Sequence, residues 1–270
     1  MPRPMYIYKN VVEQKPAQNN KNIRNLLGEI LDVSDKASKC LAKCIKILTT
    51  KHSSQDVDIH IVDLLVRAWN DFKVTCNLVK MGFYLQAIMV LRDTIEIMAI
   101  VEYLHKFPEK ANDWWKAKTT KERRYFSINN IKDSIENGED IASAWNNLSS
   151  YIHPNGCATP WYGADKPYYG HNLFLNGFYY PSSAEFVFTL QLHLCIDFLN
   201  RLNEWYSMEL RFPKKLTEEI ISLKDEYNLQ VKNLEKRMKV ENKEVVDKVL
   251  ATRLTDEEVI KWFQSFEDVK

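Results

Sequence analysis

Glycine is scarce in this chain, with only seven among 270 residues. Neither the GxxxxGK[ST] loop that cradles nucleotide phosphates nor the GxGxxG turn of dinucleotide-binding folds is present. The sequence therefore excludes binding of ATP, GTP or NAD by these two kinds of loop. Four of the seven glycines and four of the nine prolines fall within residues 154–181, which leaves the rest of the chain to form helices.

A long uncharged apolar run and a large net charge are also lacking. The most hydrophobic stretch, 84–104, carries Arg92, Asp93 and Glu96 at its centre, and a bilayer does not readily accept such a trio. The first ten residues, MPRPMYIYKN, lack the apolar core of a secretory signal. A net charge of +1 gives no overall field that would recruit nucleic acid or an acidic membrane. We therefore predict no membrane association, and only local basic surfaces can attract an anionic partner.

Cysteine and histidine are few, and their spacing matches no recognised metal site. The five cysteines are odd in number and lie mostly in apolar, helical contexts, which favours reduced thiols in a cytoplasmic protein. His153, Cys157 and His171 do not have the spacing of zinc ligands. We predict a cytoplasmic location, no metal and no other cofactor.

Apolar residues at helical spacing dominate what remains. They recur every three or four positions through most of the chain, which predicts an all-α fold. We predict a polar N-terminal arm over 1–20, a helical bundle over 21–212 and a C-terminal helical appendage over 213–270. Within the bundle, helices are predicted over about 21–50, 56–80, 83–106, 120–137, 138–152 and 181–211, with a short segment after Pro108 and an irregular segment over 154–181.

The C-terminal appendage has apolar residues at heptad-like spacing, among them Ile220, Tyr227, Val231 and Leu234. About three heptads are too few to predict a coiled coil. We predict that the appendage packs against the chain's own core, and its alternative role is to bind a protein partner.

The irregular segment 154–181 contains eight aromatic residues but only one positive charge, Lys166. Aromatic rings can stack on bases or fill an interface. Because the segment lacks the charge of an RNA platform, we predict that it covers the helix ends or forms an oligomer contact. Positive charge is concentrated instead on helix faces that we predict to be solvated: Lys36, Lys39, Lys43 and Lys46, and then Lys116, Lys118, Lys121, Arg123 and Arg124.

Two sets of polar residues are candidates for a functional site. Arg92 and Glu96 stand four residues apart in the central apolar helix and so share one face. They predict either a buried ion pair or a pair that orients a group in a pocket. His153 follows the end of a predicted helix, with Ser149 one turn earlier, so the ring could serve as an acid–base group or simply cap the helix.

These two stretches, GFYLQAIMVLRDTIEIMAIVEYL and NNLSSYIHPN, resemble the HEPN superfamily of helical proteins. The likeness is to a bacterial branch with a Leu-Arg-x-x-x-Glu helix and a Ser-x-x-x-His-Pro motif, and it covers about residues 56–210. It implies a bundle of four or more helices that dimerises. It also implies RNA as a partner, cleavage without a metal, and a role in abortive infection or toxin–antitoxin systems.

The chain departs from the active pattern of that superfamily at one position. In active members four to six residues lie between an Arg and the catalytic His, which would place the Arg at 146–148, but these positions here are Asn146, Asn147 and Leu148. Without that guanidinium, the charge that stabilises a scissile phosphate would have to come from Arg92, from a Lys of a partner subunit, or not at all, and Asn147 could hold a substrate oxygen.

Two hypotheses remain from the sequence. The first is a degenerate, non-catalytic HEPN-like module with an RNA-linked or phage-defence role. The second is a metal-independent ribonuclease in which His153 is the acid–base group. Ser149 and Asn147 would assist, and Arg92 with Glu96 would position the site.

Overall fold

A computed structural model describes residues 8–13, 16–51, 56–152, 171–175, 181–207 and 212–250. Most of these residues are helical, which confirms the predicted all-α class, while the HEPN-like assignment stays a prediction. The described helices are α1 (Pro16–Leu27), α2 (Ile30–Lys51), α3 (Asp56–Met81), α4 (Tyr84–Lys106), α5 (Ala111–Lys116), α6 (Thr120–Tyr125), α7 (Ile128–Ile131), α8 (Gly138–Ile152), α9 (Pro181–Ser207) and α10 (Lys214–Leu250).

Two short strands depart from the prediction of irregular chain at both of their positions. β1 (Tyr8–Glu13) lies in the predicted polar arm and β2 (His171–Leu175) in the predicted irregular segment. They pair in parallel, with Val11 opposite Leu173. Helical periodicity carries no signal for such a pair, because each strand is short and its partner is distant in sequence.

The helical hairpin of α3 and α4 forms where the sequence predicts it. Gly82 adopts a positive φ of 84° after the end of α3. Its amide donates to the carbonyl of Val79, and the amide of Phe83 donates to that of Leu78. This is a Schellman motif, which satisfies the last carbonyls of a helix and needs a residue such as glycine at the left-handed position.

Two helices that were predicted to be continuous are each divided into shorter elements in the structure. The helix expected over 21–50 is instead α1 and α2, which begin at Pro16 and are separated at Gly28, where φ is 52°. The helix expected over 120–137 is divided into α6, α7 and the 3₁₀ turn Lys132–Ser134. A side-chain cap at Thr119 starts α6, with reciprocal bonds to Glu122. At Gly28 a single turn-forming residue divides the helix without interrupting its apolar periodicity.

Helix α4 lies at the centre of the bundle, as its apolar sequence predicts. It packs against α3, α8 and α9, and its buried side chains include Leu91, Ile95 and Leu104. No helix in the part of the chain that the structure describes is long and apolar enough to span a bilayer. Each described cysteine is a buried free thiol: Cys40, Cys44, Cys76 and Cys195.

The chain divides into two compact units, residues 1–227 and residues 228–270. The first turns of α10 belong to the first unit, where Leu216 and Ile220 are buried. In the same unit Lys43 of α2 pairs with Glu219 at 2.6 Å and Lys36 pairs with Glu226 at 2.5 Å. Part of the basic face of α2 is therefore paired with acidic residues of α10.

Candidate functional site

The contact between α4 and α8 brings two of the predicted site residues together. The Nε of Arg92 donates a hydrogen bond to the Ser149 hydroxyl at 2.7 Å. That hydroxyl in turn donates to the backbone carbonyl of Trp145 at 2.7 Å. Ser149 is buried, so α8 uses its hydroxyl to fix the direction of a guanidinium that comes from another helix.

Trp145 holds the same guanidinium from its flat side. The central carbon of the Arg92 guanidinium lies 3.9 Å from the centre of the Trp145 ring, which is the geometry of a cation–π contact. Stacking and a single Nε hydrogen bond leave the two terminal amino groups of Arg92 without a hydrogen bond or ion pair to any described residue. The side chain is held in place but keeps its bidentate donor edge available for a ligand.

Glu96 lies on the same face of α4 but makes no direct ion pair with Arg92 among the described residues. Both side chains are half-buried, so the first alternative, a fully buried ion pair, is not formed among the described residues, and the second, a pair that orients a group, stays a prediction. Burial raises the pKa of Glu96, the charge of Arg92 opposes the rise, and nearby Asp93 adds to it. The reason for the difference is that Ser149 and Trp145 of α8 take the guanidinium instead.

The α3 side of this region adds charged residues that the sequence motifs do not single out. Arg67 forms an ion pair with Asp93 of α4. Burial, together with the charge of Asp93, raises the pKa of Asp71 to about 6. One carboxylate oxygen of Asp71 is buried with no hydrogen-bond partner in the described chain. The i, i+4 spacing of Arg67 and Asp71 is the signal that could have placed both on the face towards α4.

The other two predicted site residues are not brought to this contact. Asn147 is exposed on α8 and is two residues away from both Trp145 and Ser149, which places it about 200° around the helix. It therefore lies on the side of α8 opposite to Arg92. His153 follows the last residue of α8, Ile152, and lies outside the described residues.

A second charged cluster on α4 was missed by the sequence analysis. Glu102 is only 2% exposed, and its carboxylate accepts from Arg201 of α9, from Lys106 at 3.0 Å and from the backbone amide of Glu136. Arg201 also donates to Asp197 at 2.9 Å. Burial by itself would lower the pKa of Arg201, but the charges of Asp197 and Glu102 outweigh it and raise the pKa. This cluster ties α4, α9 and the turn that precedes α8 together.

Neither cluster has the composition of a metal centre. Across the described ranges, no three His, Cys, Asp or Glu side chains converge in a way that could hold a metal ion. What the Arg92 contact offers is a fixed guanidinium near Glu96, a carboxyl group of raised pKa. The guanidinium can bind an anion, and the raised pKa of Glu96 favours the protonated form of that carboxyl group.

The chain matches no protein-family model, no curated protein and no solved structure.

Proposed function

We propose that the chain is a HEPN-like helical protein that binds RNA through a phosphate held by Arg92, without cleaving it. The main support for this proposal is that Ser149 and Trp145 fix the orientation of the guanidinium. Its terminal amino groups have no described partner. A planar donor pair of this kind recognises phosphate oxygens in a bidentate way. An RNA-linked defence role and a dimeric state belong to the same proposal and rest on the resemblance.

Binding without cleavage is favoured by what surrounds Arg92. The last turns of α8 carry Asn146 and Asn147, which are exposed, and Leu148, which is buried. No second cation from these turns adds to Arg92 for the charge that develops on a scissile phosphate. Glu96 lies near the guanidinium and reduces the local positive potential.

RNA binding by matched variants tests this proposal. We expect wild type to bind a fluorescent single-stranded RNA in an anisotropy titration, and Arg92→Gln to bind at least about tenfold more weakly. Arg92→Lys should recover only part of the affinity, since lysine keeps the charge but not the planar donor pair. The slope of log Kd against log salt should fall by about one for Arg92→Gln.

Arg123→Gln is the matched control, because Arg123 is an exposed arginine of α6 on a different surface. We expect it to bind RNA almost as wild type does. Equal losses in the Arg123→Gln and Arg92→Gln variants would mean diffuse attraction and would reject the site at Arg92.

One observation favours the ribonuclease as a second candidate. Ser149 lies one turn before residue 153, so its bond to Arg92 brings a guanidinium near the end of α8, where the motif lacks one. In this candidate His153 is the acid–base group and Arg92 stabilises the phosphate charge.

Expression in a bacterial host separates the two candidates. Growth arrest and cleaved total RNA with wild type, both lost with His153→Ala, would identify a ribonuclease. Normal growth and intact RNA with both proteins, together with Arg92-dependent RNA binding, would identify the non-cleaving module.

A further inference from the structure

A small polar cleft lies between α2, α3 and α9, away from the Arg92 contact. It has a volume of about 40 Å³ and is lined on its α3 side by Lys73, Cys76 and Lys80, among others. These positions point about 180° away from Arg67 and Asp71 around α3. The cleft is therefore a separate site, independent of the proposed RNA contact.

The floor of the cleft consists of buried polar side chains whose donors are not all used. Ser38 is only 7% exposed, and its buried hydroxyl has no hydrogen-bond partner in the described part of the chain. Gln191 is 2% exposed, and its side-chain oxygen accepts from the Ser34 hydroxyl at 3.5 Å. No hydrogen bond within the described ranges uses the Gln191 amide N–H groups. The buried Ser38 hydroxyl without a described partner, beside these unused N–H groups, calls for an acceptor in the cleft.

The rim of the cleft carries more positive than negative charge. Lys73 and Lys80 are seven residues apart, so they lie on one face of α3, two turns apart. Neither forms an ion pair with a described residue, whereas Asp35 is the single acidic residue of the lining. Two cations beside a floor of donors favour an anionic ligand over a cation.

The size of the cleft limits that ligand. A water molecule needs about 10–15 Å³ by this kind of measure, so the cleft admits a group of a few oxygen atoms but no nucleoside. We infer that it binds a phosphate-type oxyanion, with Lys73 and Lys80 as the counter-charges and Ser38 and Gln191 as the donors on its floor. The oxyanion is either inorganic phosphate or the phosphate group of a small monoester.

Thermal unfolding of the full chain in different anions is the first test. We expect a saturable rise in Tm with inorganic phosphate or glycerol 3-phosphate that chloride at equal ionic strength does not give. A larger rise with inorganic phosphate identifies the free ion as the ligand, and a larger rise with glycerol 3-phosphate identifies a monoester. Equal shifts in all three anions would overturn the inference.

Variants then locate the binding by titration calorimetry with the better of the two phosphates. Lys80→Gln and Ser38→Ala should each raise Kd by about tenfold, since each removes one donor to the anion. Ser38→Ala should keep the wild-type Tm in the absence of phosphate, because the hydroxyl has no described partner to lose. Lys39→Gln is the control, as Lys39 is exposed and lies outside the cleft lining. Unchanged affinity in Ser38→Ala, or an equal loss in Lys39→Gln, would disprove the site.

Discussion

Helix α4 carries two charged clusters that are satisfied to very different degrees. At Glu102 both carboxylate oxygens accept hydrogen bonds, and the cations around it include Arg201, which is 14% exposed in its side chain. Among the described residues the Arg92 guanidinium uses one N–H group, and on neighbouring α3 Asp71 keeps a buried oxygen without a described partner. The difference indicates that the first cluster holds the fold together and that the second is open to a ligand.

Cutting the Glu102 cluster should produce the largest loss of stability. Glu102→Ala removes the buried carboxylate that pairs with Arg201, and breaking a buried pair costs about 3–5 kcal/mol in the free energy of unfolding. Urea unfolding followed by circular dichroism measures it. Arg201→Met should cost a similar amount, and the double variant should cost clearly less than the sum. Additive costs would mean that the two charges act independently, and they would contradict the inference that the Glu102 cluster holds the fold together.

Gly138 tests whether α8 is fixed from its start, next to the Glu102 cluster. A Cβ at Gly138 would lie 1.9 Å from the carbonyl oxygen of Lys132, so the backbone of the preceding 3₁₀ turn would have to move. We expect Gly138→Ala to lower the free energy of unfolding by about 1–3 kcal/mol. Ser143→Ala, on the exposed side of α8, is the control and should change it by less than about 0.5 kcal/mol. Equal stability in the Gly138 variant would show that the turn adapts freely.

The sequence predicts the helices whose apolar residues recur at regular spacing, because this pattern is local. Helices α3, α4 and α8 follow from apolar spacing, a glycine after α3 and a proline after α8. The break at Gly28 was not predicted, because a single glycine within a periodic pattern is often tolerated inside a helix. The pairing of β1 with β2 depends on contacts between distant segments, which no local pattern reveals.

The candidate site was predictable only as far as single motifs reach. Arg92 and Ser149 stand out in their own stretches, and the structure places them in contact. The stacking of Arg92 on Trp145 depends on the register between α4 and α8, so the spacing within α4 pointed to Glu96 instead. Glu102 was missed because an acidic residue in an apolar helix shows its importance only when its partner on α9 is known.

The pH dependence of stability should distinguish the charged residues around Arg92 and Asp71, called here the open cluster, from the cluster at Glu102. Asp71 has a pKa of about 6 in the folded chain, against an ordinary value of 3.8. Between these values the folded state keeps a proton that the unfolded state has lost, so the free energy of unfolding falls as pH rises from about 4 to 6 and then levels off. Glu96 acts in the same direction, since its pKa is also raised.

Asp71→Asn should flatten this fall and stabilise the protein above pH 6. Allowing for the partial exposure of Asp71, we expect a gain of about 1 kcal/mol at neutral pH, measured by urea unfolding between pH 4 and 8. Asp133→Asn removes an exposed carboxylate elsewhere and serves as the control, with an unchanged profile. A wild-type profile in the Asp71 variant would assign the pH dependence to another group.

The smallest effect is expected for the ion pair between Arg67 and Asp93, which lies in the open cluster. The side chains are 58% and 39% exposed, so water screens the attraction and a double-mutant cycle with Arg67→Ala and Asp93→Ala should give a coupling of about 0.2–1 kcal/mol. In 1 M salt the coupling should nearly vanish, whereas that between Glu102 and Arg201 should persist, because buried pairs are screened much less. A coupling at Arg67 as large and as salt-resistant as that at Arg201 would mean that both clusters stabilise the fold. It would then argue against a ligand-binding role for Arg92.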